Sequence, residues 1–260
     1  MDLIRRNSCN RTRIEITVRD ISTGEVQITL SNVQVGEMFT VEFHEWFRQG
    51  TRTMENHSDI HSYGVEWGYD EPLWIHVVET DEASVLIGTG VEESADEVTT
   101  IASDHDVDVA IVEHGDLDHY GGVPALRDAI DDLEVAVPAG DAEFLEEAGI
   151  DVDHKLEAGK TYWGIETIPA PGHTPDNMAY LYENVLIAGD TVLSVDSRFA
   201  VDGDWSGRFA VSGSNVDDKQ TRESVSKLTE YDFDAVLVSH GASVTDGGAA
   251  EIEKLISDFS

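Results

Sequence analysis

Short apolar runs recur along the second half of the chain, and turn-forming residues separate them. Runs of this length are typical of buried strands, whereas longer amphipathic stretches are typical of helices. The predicted strands lie at 73–79, 84–87, 107–112, 135–138, 165–170, 178–182, 185–188 and 235–238. The predicted helices lie at 95–106, 125–132, 142–148, 217–231 and 249–259. This alternation of strands and helices predicts an α/β fold.

The N-terminal part of the chain has a different pattern. Apolar and polar residues alternate at 14–19 and 26–30 around a short Ser-Thr-Gly turn, which predicts a β-hairpin. Residues 1–52 carry seven basic and seven acidic residues, whereas residues 53–260 carry nine and forty-six. We therefore predict an N-terminal β-rich extension at 1–52 and a main domain at 53–260. The extension would complete a sheet edge or take part in a homo-oligomer contact.

The formal net charge of −37 indicates in which environment the protein is stable and which partners it can bind. Such self-repulsion weakens a compact fold unless salt screens it, so the composition indicates a protein from a salt-loving cell. The same charge disfavours binding to nucleic acid. Cys9 is the single cysteine, so no internal disulfide can form. No secretory signal or membrane-spanning run is apparent, and we expect a cytoplasmic protein that does not bind membranes.

Four possible metal ligands follow the predicted strand at 107–112. They are His114, Asp116, Asp118 and His119, within a stretch of six residues. Imidazole and carboxylate groups are the ligands that Zn²⁺ and Fe²⁺ accept at neutral pH. If the segment is extended, residues 114, 116 and 118 point the same way. One loop could then serve two metals.

Three further predicted strands each lead to a possible ligand. His173 follows Pro-Gly after 165–170, Asp190 follows Ala-Gly after 185–188, and His240 follows Val-Ser at the end of 235–238. Open α/β sheets carry their chemistry on the loops at strand ends. These side chains are therefore predicted to converge at one rim of the sheet.

The order HxDxDH, PGHTP, AGD and SHG resembles the metallo-β-lactamase fold superfamily over about residues 61–260. The resemblance implies a four-layer αββα sandwich, here with the N-terminal β extension. It also implies two divalent metal ions, with zinc as the first expectation. One would be held by His114, Asp116 and His173, and the other by Asp118, His119 and His240, with Asp190 as the bridge.

The resembling hydrolases use a water activated between the metals to attack a small ester, thioester or lactone. Asp118 would orient that water as well as bind metal, so it is the predicted catalytic residue. The expected partner is thus a small-molecule substrate, as in the glyoxalase II-like and lactonase-like members. The loop at 194–214, with Arg198, Phe199, Trp205, Arg208 and Phe209, either borders the substrate or is a surface loop anchored by its aromatic residues.

Two departures from the family pattern keep other functions open. Gly88 stands where the family has an Asp that supports the metal loops, a loss that can weaken binding about 10- to 100-fold. Asp116 stands where hydrolytic members carry His, and a harder ligand favours iron or manganese. The alternatives are a diiron protein that reduces oxygen or nitric oxide, and a degenerate metal-binding member without hydrolase activity. His57 and His61 are expected in a polar loop, away from the metals.

Overall fold

A computed structural model describes residues 52–54, as backbone only, and residues 57–259. The hairpin predicted between residues 14 and 30 lies outside these residues. The division of the chain at residue 52 therefore stays a prediction. Within the described residues, no helix is both long enough and apolar enough to span a lipid bilayer.

A seven-stranded sheet forms the first half of the fold, with its strands in sequence order. Its strands are β1 (Arg52–Met54), β2 (His57–Val65), β3 (Leu73–Glu79), β4 (Ser84–Ile87), β5 (Val109–Ile111), β6 (Glu134–Pro138) and β7 (His154–Leu156). The first four are antiparallel neighbours, and β4 to β7 pair in parallel. The segment that begins at His57 was expected to be a polar loop, and that prediction was wrong. Its side chains alternate between the two sheet faces, which lets a polar sequence form a strand.

A five-stranded sheet forms the second half, in the order β14, β11, β10, β9, β8. Its strands are β8 (Thr161–Tyr162), β9 (Ile165–Pro169), β10 (Met178–Tyr182), β11 (Val185–Ile187) and β14 (Ala235–Leu237). A separate two-stranded sheet pairs β12 (Leu193–Ser194) with β13 (Phe209–Ala210). Strands β9, β11 and β14 run in the same direction, because β10 is antiparallel to β9 and β11 while β14 is parallel to β11. Their carboxyl ends therefore lie at one edge.

The described part of the chain contains six α-helices, which flank the two main sheets. They are α1 (Ala95–Asp104), α2 (Leu117–Tyr120), α3 (Val123–Ala129), α4 (Ala142–Glu147), α5 (Asp218–Lys227) and α6 (Gly248–Ser257). The first turn of α1 carries Asp96 and Glu97, whose charges suit the positive end of the helix dipole. The same helix buries Val98 and Ile101 on its sheet-facing side. Asp217 caps α5 by accepting a hydrogen bond from the Gln220 N–H at 3.0 Å.

The apolar core explains the order of the layers. One buried cluster contains residues of both large sheets, such as Ile87 and Ile187, so the sheets pack face to face. A second cluster lies between the first sheet and α1 and α3, and a third between the second sheet and α5 and α6. The predicted αββα sandwich is confirmed. At one edge the sheets are joined by a backbone hydrogen bond of 2.9 Å from the Trp74 N–H to the Ser239 carbonyl.

Candidate metal centre

The hexapeptide that begins at His114 leaves the first sheet at the end of β5 and turns at once into α2. Asp116 has an extended backbone and precedes the first helical residue, and His119 lies within the helix. The segment is therefore not extended throughout, so the condition under which residues 114, 116 and 118 would point the same way is not met. The turn brings Asp118 and His119 to the rim by helical geometry rather than by strand alternation.

Close backbone packing holds α2 in place. The Thr89 N–H and hydroxyl both donate to the His119 carbonyl, at 3.1 and 2.8 Å. A Cβ on Gly122 would lie 2.0 Å from the Thr89 carbonyl oxygen. Gly121 and Gly122 have φ of −61° and −82°, which any residue can adopt. Glycine is therefore needed at position 122 for close backbone approach rather than for an unusual φ.

One group of possible ligands joins the two halves of the fold. His114, His173 and Asp190 place one ligand atom each within 4.8 Å of one another, and all three side chains are buried. Asp116 contacts the same group, with its Oδ2 3.5 Å from His114 Nε2 and 3.2 Å from His173 Nε2. The Asn215 Oδ1 accepts from His173 Nδ1 at 3.3 Å. That bond leaves His173 Nε2 directed at the group.

A second group lies beside the first. Asp118, His119 and His240 also place their ligand atoms within 4.8 Å of one another. Asp118 Oδ2 lies 3.2 Å from His240 Nε2 and 3.7 Å from His119 Nε2. The rings of His114 and His119 are 3.9 Å apart between centroids, so the two groups are adjacent.

Asp190 touches both groups. Its Oδ2 is 3.5 Å from His173 Nε2 and 3.4 Å from His240 Nε2, and its Oδ1 is 3.6 Å from His119 Nε2. Hence the structure brings together all seven side chains that the sequence singled out, although they are far apart in the chain.

Several ligand atoms in this cluster are buried without a hydrogen bond. Among the described residues, no partner is present for His114 Nε2, His119 Nε2 or Asp190 Oδ1. Buried polar atoms are normally satisfied, so unsatisfied ones call for an explanation such as a bound ion. Imidazole nitrogens and carboxylate oxygens facing one small space suit divalent transition metals. The residues present therefore fit a metal centre.

The carboxylates change the protonation of the histidines. Burial alone would lower the pKa of His119, but the charges of Glu113, Asp118 and Asp190 outweigh it and raise that pKa to about 10. Burial is likewise outweighed at His240, where Asp190 and Asp118 raise the pKa to about 9. Without a metal these rings hold protons at neutral pH, and the protons compensate the nearby negative charge.

The pKa values of Asp116 and His114 also shift in the directions expected for such close packing. The imidazoles of His114 and His173, which lie close to its Oδ2, hold the pKa of Asp116 far below its usual range. Burial, followed by the charge of His119, lowers the pKa of His114. A neutral His114 keeps a lone pair available for a metal.

Glu113 is a functional residue that the sequence reasoning missed. It is fully buried at the end of β5, and its Oε2 lies 3.0 Å from His119 Nδ1. A Cβ on Gly88 would be only 3.3 Å from Glu113 Oε1. The expected loss of a supporting carboxylate at Gly88 is thus offset by one from the neighbouring strand. An acidic residue directly before the first His was the signal that could have revealed it.

An aromatic wall lies beside His240, formed by Trp67, Tyr69 and Phe199. The rings of Trp67 and Phe199 are each 5.1 Å from the His240 ring. Tyr69 packs on both, and the guanidinium carbon of Arg198 lies 4.5 Å from its ring centroid. Two members of this wall come from the connection between β2 and β3, which sequence reasoning had not singled out.

The loop at 194–214 contributes to this wall through part of its length. Phe199 belongs to the wall and Arg198 contacts it through Tyr69. Phe209, in contrast, is fully buried in the core beneath α5 and α6. Trp205 packs against the same core, and the Arg208 N–H donates to Glu251 at 2.8 Å. The part of the loop around Trp205 and Phe209 is therefore anchored by its aromatic residues, as one alternative predicted. The part at Arg198 and Phe199 lies beside His240, and its contact with a substrate stays a prediction.

Comparison with known proteins identifies the family. A family model described as the metallo-beta-lactamase superfamily matches residues 69–240, which include all seven clustered side chains. The chain belongs to this superfamily. A hydroxyacylglutathione hydrolase from Shewanella denitrificans is 31% identical over 135 residues, 48% of this chain and 49% of that protein. An N-acyl homoserine lactonase from a Bacillus species is 24% identical over 189 residues, 59% of this chain and 75% of that protein. The chain spans about half the length of the hydroxyacylglutathione hydrolases it matches.

Solved structures of superfamily members share the fold. A metallo-beta-lactamase from Pontibacter korlensis superposes with a TM-score of 0.61 at 20% identity, covering 80% of this chain and 97% of that one. A variant of a flavo di-iron protein from Thermotoga maritima gives 0.63 at 19% identity, covering 80% of this chain and 61% of that one. At these identities the comparison shows the architecture alone.

Proposed function

We propose that this protein is a dinuclear metal-dependent hydrolase that acts on a small ester, thioester or lactone. The observation that carries the proposal is the contact of Asp190 with His119, His173 and His240. A carboxylate placed between two groups of ligands can serve an ion in each. The unsatisfied buried atoms around it support this interpretation.

The two ligand groups support a division of the residues between two ions. His114, Asp116 and His173 would hold the first, and Asp118, His119 and His240 the second, with Asp190 shared between them. Two hydrogen bonds to the outer nitrogens of the histidines support this assignment. Glu113 and Asn215 each bind the Nδ1 of a histidine and so direct its Nε2 inward.

Two divalent ions held there would supply Lewis acidity, lower the pKa of a shared water and polarise a substrate carbonyl. The protein's own residues would then orient the reactants. Asp118 is partly exposed, whereas His119 and His240 are almost completely buried. The Asp118 carboxylate can therefore reach water at the mouth of the centre and accept a hydrogen bond from that water. It can also take up the proton released on attack. No side-chain nucleophile is required.

Two features support the substrate class. Relatives named as a hydroxyacylglutathione hydrolase and an N-acyl homoserine lactonase suggest a thioester or a lactone. The aromatic wall offers an apolar surface next to His240, and Arg198 over the Tyr69 ring offers a positive charge. A small carbonyl compound with an apolar part, and a carboxylate at its far end, would suit this surface.

The test measures metal content and hydrolysis together. The protein is purified in high salt, and bound metal is determined alongside activity on a panel of thioesters and lactones. We expect at least two metal equivalents and hydrolysis, both reduced in His114→Ala. His154→Ala is the matched control, because His154 forms an exposed ion pair with Glu134 at 2.9 Å. A His114→Ala protein with unchanged metal content would contradict the ligand assignment.

A diiron redox protein is the second candidate function, and Asp116 favours it. A carboxylate beside His114 and His173 is a harder ligand than the imidazole of hydrolytic members and suits iron. The same experiment separates the candidates. Bound iron without hydrolysis would replace the first proposal with this one, and a protein that binds no metal would be a degenerate member.

A further inference from the structure

A second cluster of imidazole and carboxylate groups lies on the outer face of the first sheet. His61 is in β2, Glu79 ends β3, and His105 directly follows α1. Each offers one ligand atom within 4.8 Å of the others. Glu79 Oε1 is 2.7 Å from His105 Nδ1 and 3.8 Å from His61 Nε2. The two imidazole rings are 4.6 Å apart between centroids.

This cluster is distinct from the centre around Asp190. Leu73, at the start of β3, forms a backbone bridge with His240. Glu79 stands six residues further along the same strand, which places it about 20 Å from that bridge. The cluster therefore has no contact with the proposed catalytic centre and does not depend on the proposed function.

The burial of the two histidines is unusual for a simple surface ion pair. Only 15% of the His61 side chain and 13% of the His105 side chain are exposed. His61 Nε2 is buried and has no hydrogen-bond partner among the described residues, although it faces Glu79 and the second ring. Burial, followed by the charge of His105, lowers the pKa of His61, so a proton on that nitrogen is disfavoured. The nitrogen thus presents a lone pair toward a carboxylate, an arrangement that a cation would satisfy.

We propose that His61, Glu79 and His105 form a third metal site, which takes one divalent transition-metal ion and ties the end of α1 to β2 and β3. Two imidazoles and one carboxylate are a ligand set that zinc accepts, with solvent in the fourth position. The last turn of α1 adds the negative end of its helix dipole, which favours a cation. Because α1 leads into β5, the ion would brace the strand that carries the hexapeptide.

Tyr63 supplies the outer support that metal-binding histidines usually have. Its hydroxyl lies 2.5 Å from His105 Nε2, on the same face of β2 as His61. With Nδ1 on a metal, Nε2 would carry the proton and donate it to the tyrosine oxygen. Such partners orient the ring, and their loss typically weakens metal binding about 10- to 100-fold.

Zinc stoichiometry tests the proposal. The full chain is saturated with Zn²⁺ in high salt, passed through gel filtration to remove loosely held ions, and analysed for bound zinc. We expect His105→Gln and Glu79→Gln to bind one equivalent less than the unaltered protein, with hydrolysis retained. His154→Gln is the control, because His154 is paired with Glu134 but has no second imidazole beside it among the described residues. Equal zinc content in all these folded proteins would overturn the proposal.

Two further measurements keep the test decisive if a variant does not fold. Tyr63→Phe keeps the aromatic ring, and it should weaken binding of the extra equivalent about 10- to 100-fold. In crystals of the unaltered protein with Zn²⁺, an anomalous peak about 2.0 to 2.1 Å from His61 Nε2 and His105 Nδ1 supports the site. Peaks confined to the Asp190 centre, or scattered elsewhere on the surface, would reject it.

Discussion

Glu113 fills the space that a side chain at Gly88 would occupy. Its Oε1 lies 3.3 Å from the position of a Cβ on Gly88, and its Oε2 lies 3.0 Å from His119 Nδ1. The two residues lie just beyond the ends of the neighbouring parallel strands β4 and β5, so a carboxylate after either strand can reach the same point. The chain therefore keeps a buried carboxylate behind His119 although the usual position has lost it.

Removing the negative charge of Glu113 should weaken metal binding. Glu113→Gln keeps the size of the side chain but takes away the negative charge that orients His119. We expect metal affinity to fall about 10- to 100-fold, as measured by competition with a chelator. Glu134→Gln is the control, because Glu134 contacts the exposed His154 and should leave affinity unchanged.

Moving the carboxylate from position 113 to position 88 should restore part of the lost metal affinity. In a Glu113→Ala background, Gly88→Asp places a carboxylate on the neighbouring strand. Gly88 has a φ of +82°, a region that Asp tolerates better than most residues, so partial recovery is expected. Gly88→Asp alone should destabilise the protein, since two carboxylates would then share one buried space. Unchanged affinity in Glu113→Gln would show that the carboxylate has no supporting role.

Metal binding should strengthen as pH rises. In the metal-free protein the pKa values of His119 and His240 are raised to about 10 and 9, so a metal must displace their protons at neutral pH. The protonated rings stabilise the metal-free fold fully below the ordinary histidine pKa of about 6.5, and this contribution is lost as pH rises through 9 to 10. The increase in melting temperature on adding metal should therefore be larger at pH 8.5 than at pH 6.5. Calorimetry in buffers of different ionisation enthalpy should also detect proton release near pH 7.5, and no release would contradict the assignment.

Asp116 should set the choice of metal. Asp116→His replaces a hard ligand beside His114 and His173 with a softer one, so zinc should gain over manganese and iron. From an equimolar mixture, we expect the ratio of bound zinc to bound manganese to rise by about tenfold, which corresponds to about 1.4 kcal/mol. Asp176→His is the matched control. After burial, the charges of Asp176 and Asp116 both raise the pKa of Asp141, so the two carboxylates share one surrounding, but Asp176 lies outside the ligand cluster. An equal change in both variants would assign the effect to charge alone.

The aromatic wall should act on substrate binding. Phe199→Ala removes a ring 5.1 Å from His240 without touching the ligands, so KM should rise about tenfold on the best substrate with kcat little changed. Phe259→Ala is the control, since Phe259 packs beneath Arg222 on the helical side of the second sheet. A loss confined to kcat would instead place Phe199 in the positioning of the reacting groups.

Most of the fold was predictable because its signals are local. The strands predicted at 107–112 and 185–188 lie close to those observed, and the amphipathic stretch at 95–106 correctly predicted α1. The order of the ligand motifs then indicated the family, and the family model and the fold confirm it. The segment around His61 was misread because a strand with one solvent-facing side can be as polar as a loop.

The sequence by itself determined which side chains follow the buried strands. The seven members of the centre around Asp190 are among these side chains. Those residues follow buried strands, and the carboxyl ends of strands that run in one direction meet at one edge. Only the tertiary structure decided that Glu113 stands in for a residue at Gly88 and that Trp67 and Tyr69 face His240. It alone also joined His61, Glu79 and His105, because contacts across neighbouring strands and between a helix end and a sheet depend on register and packing.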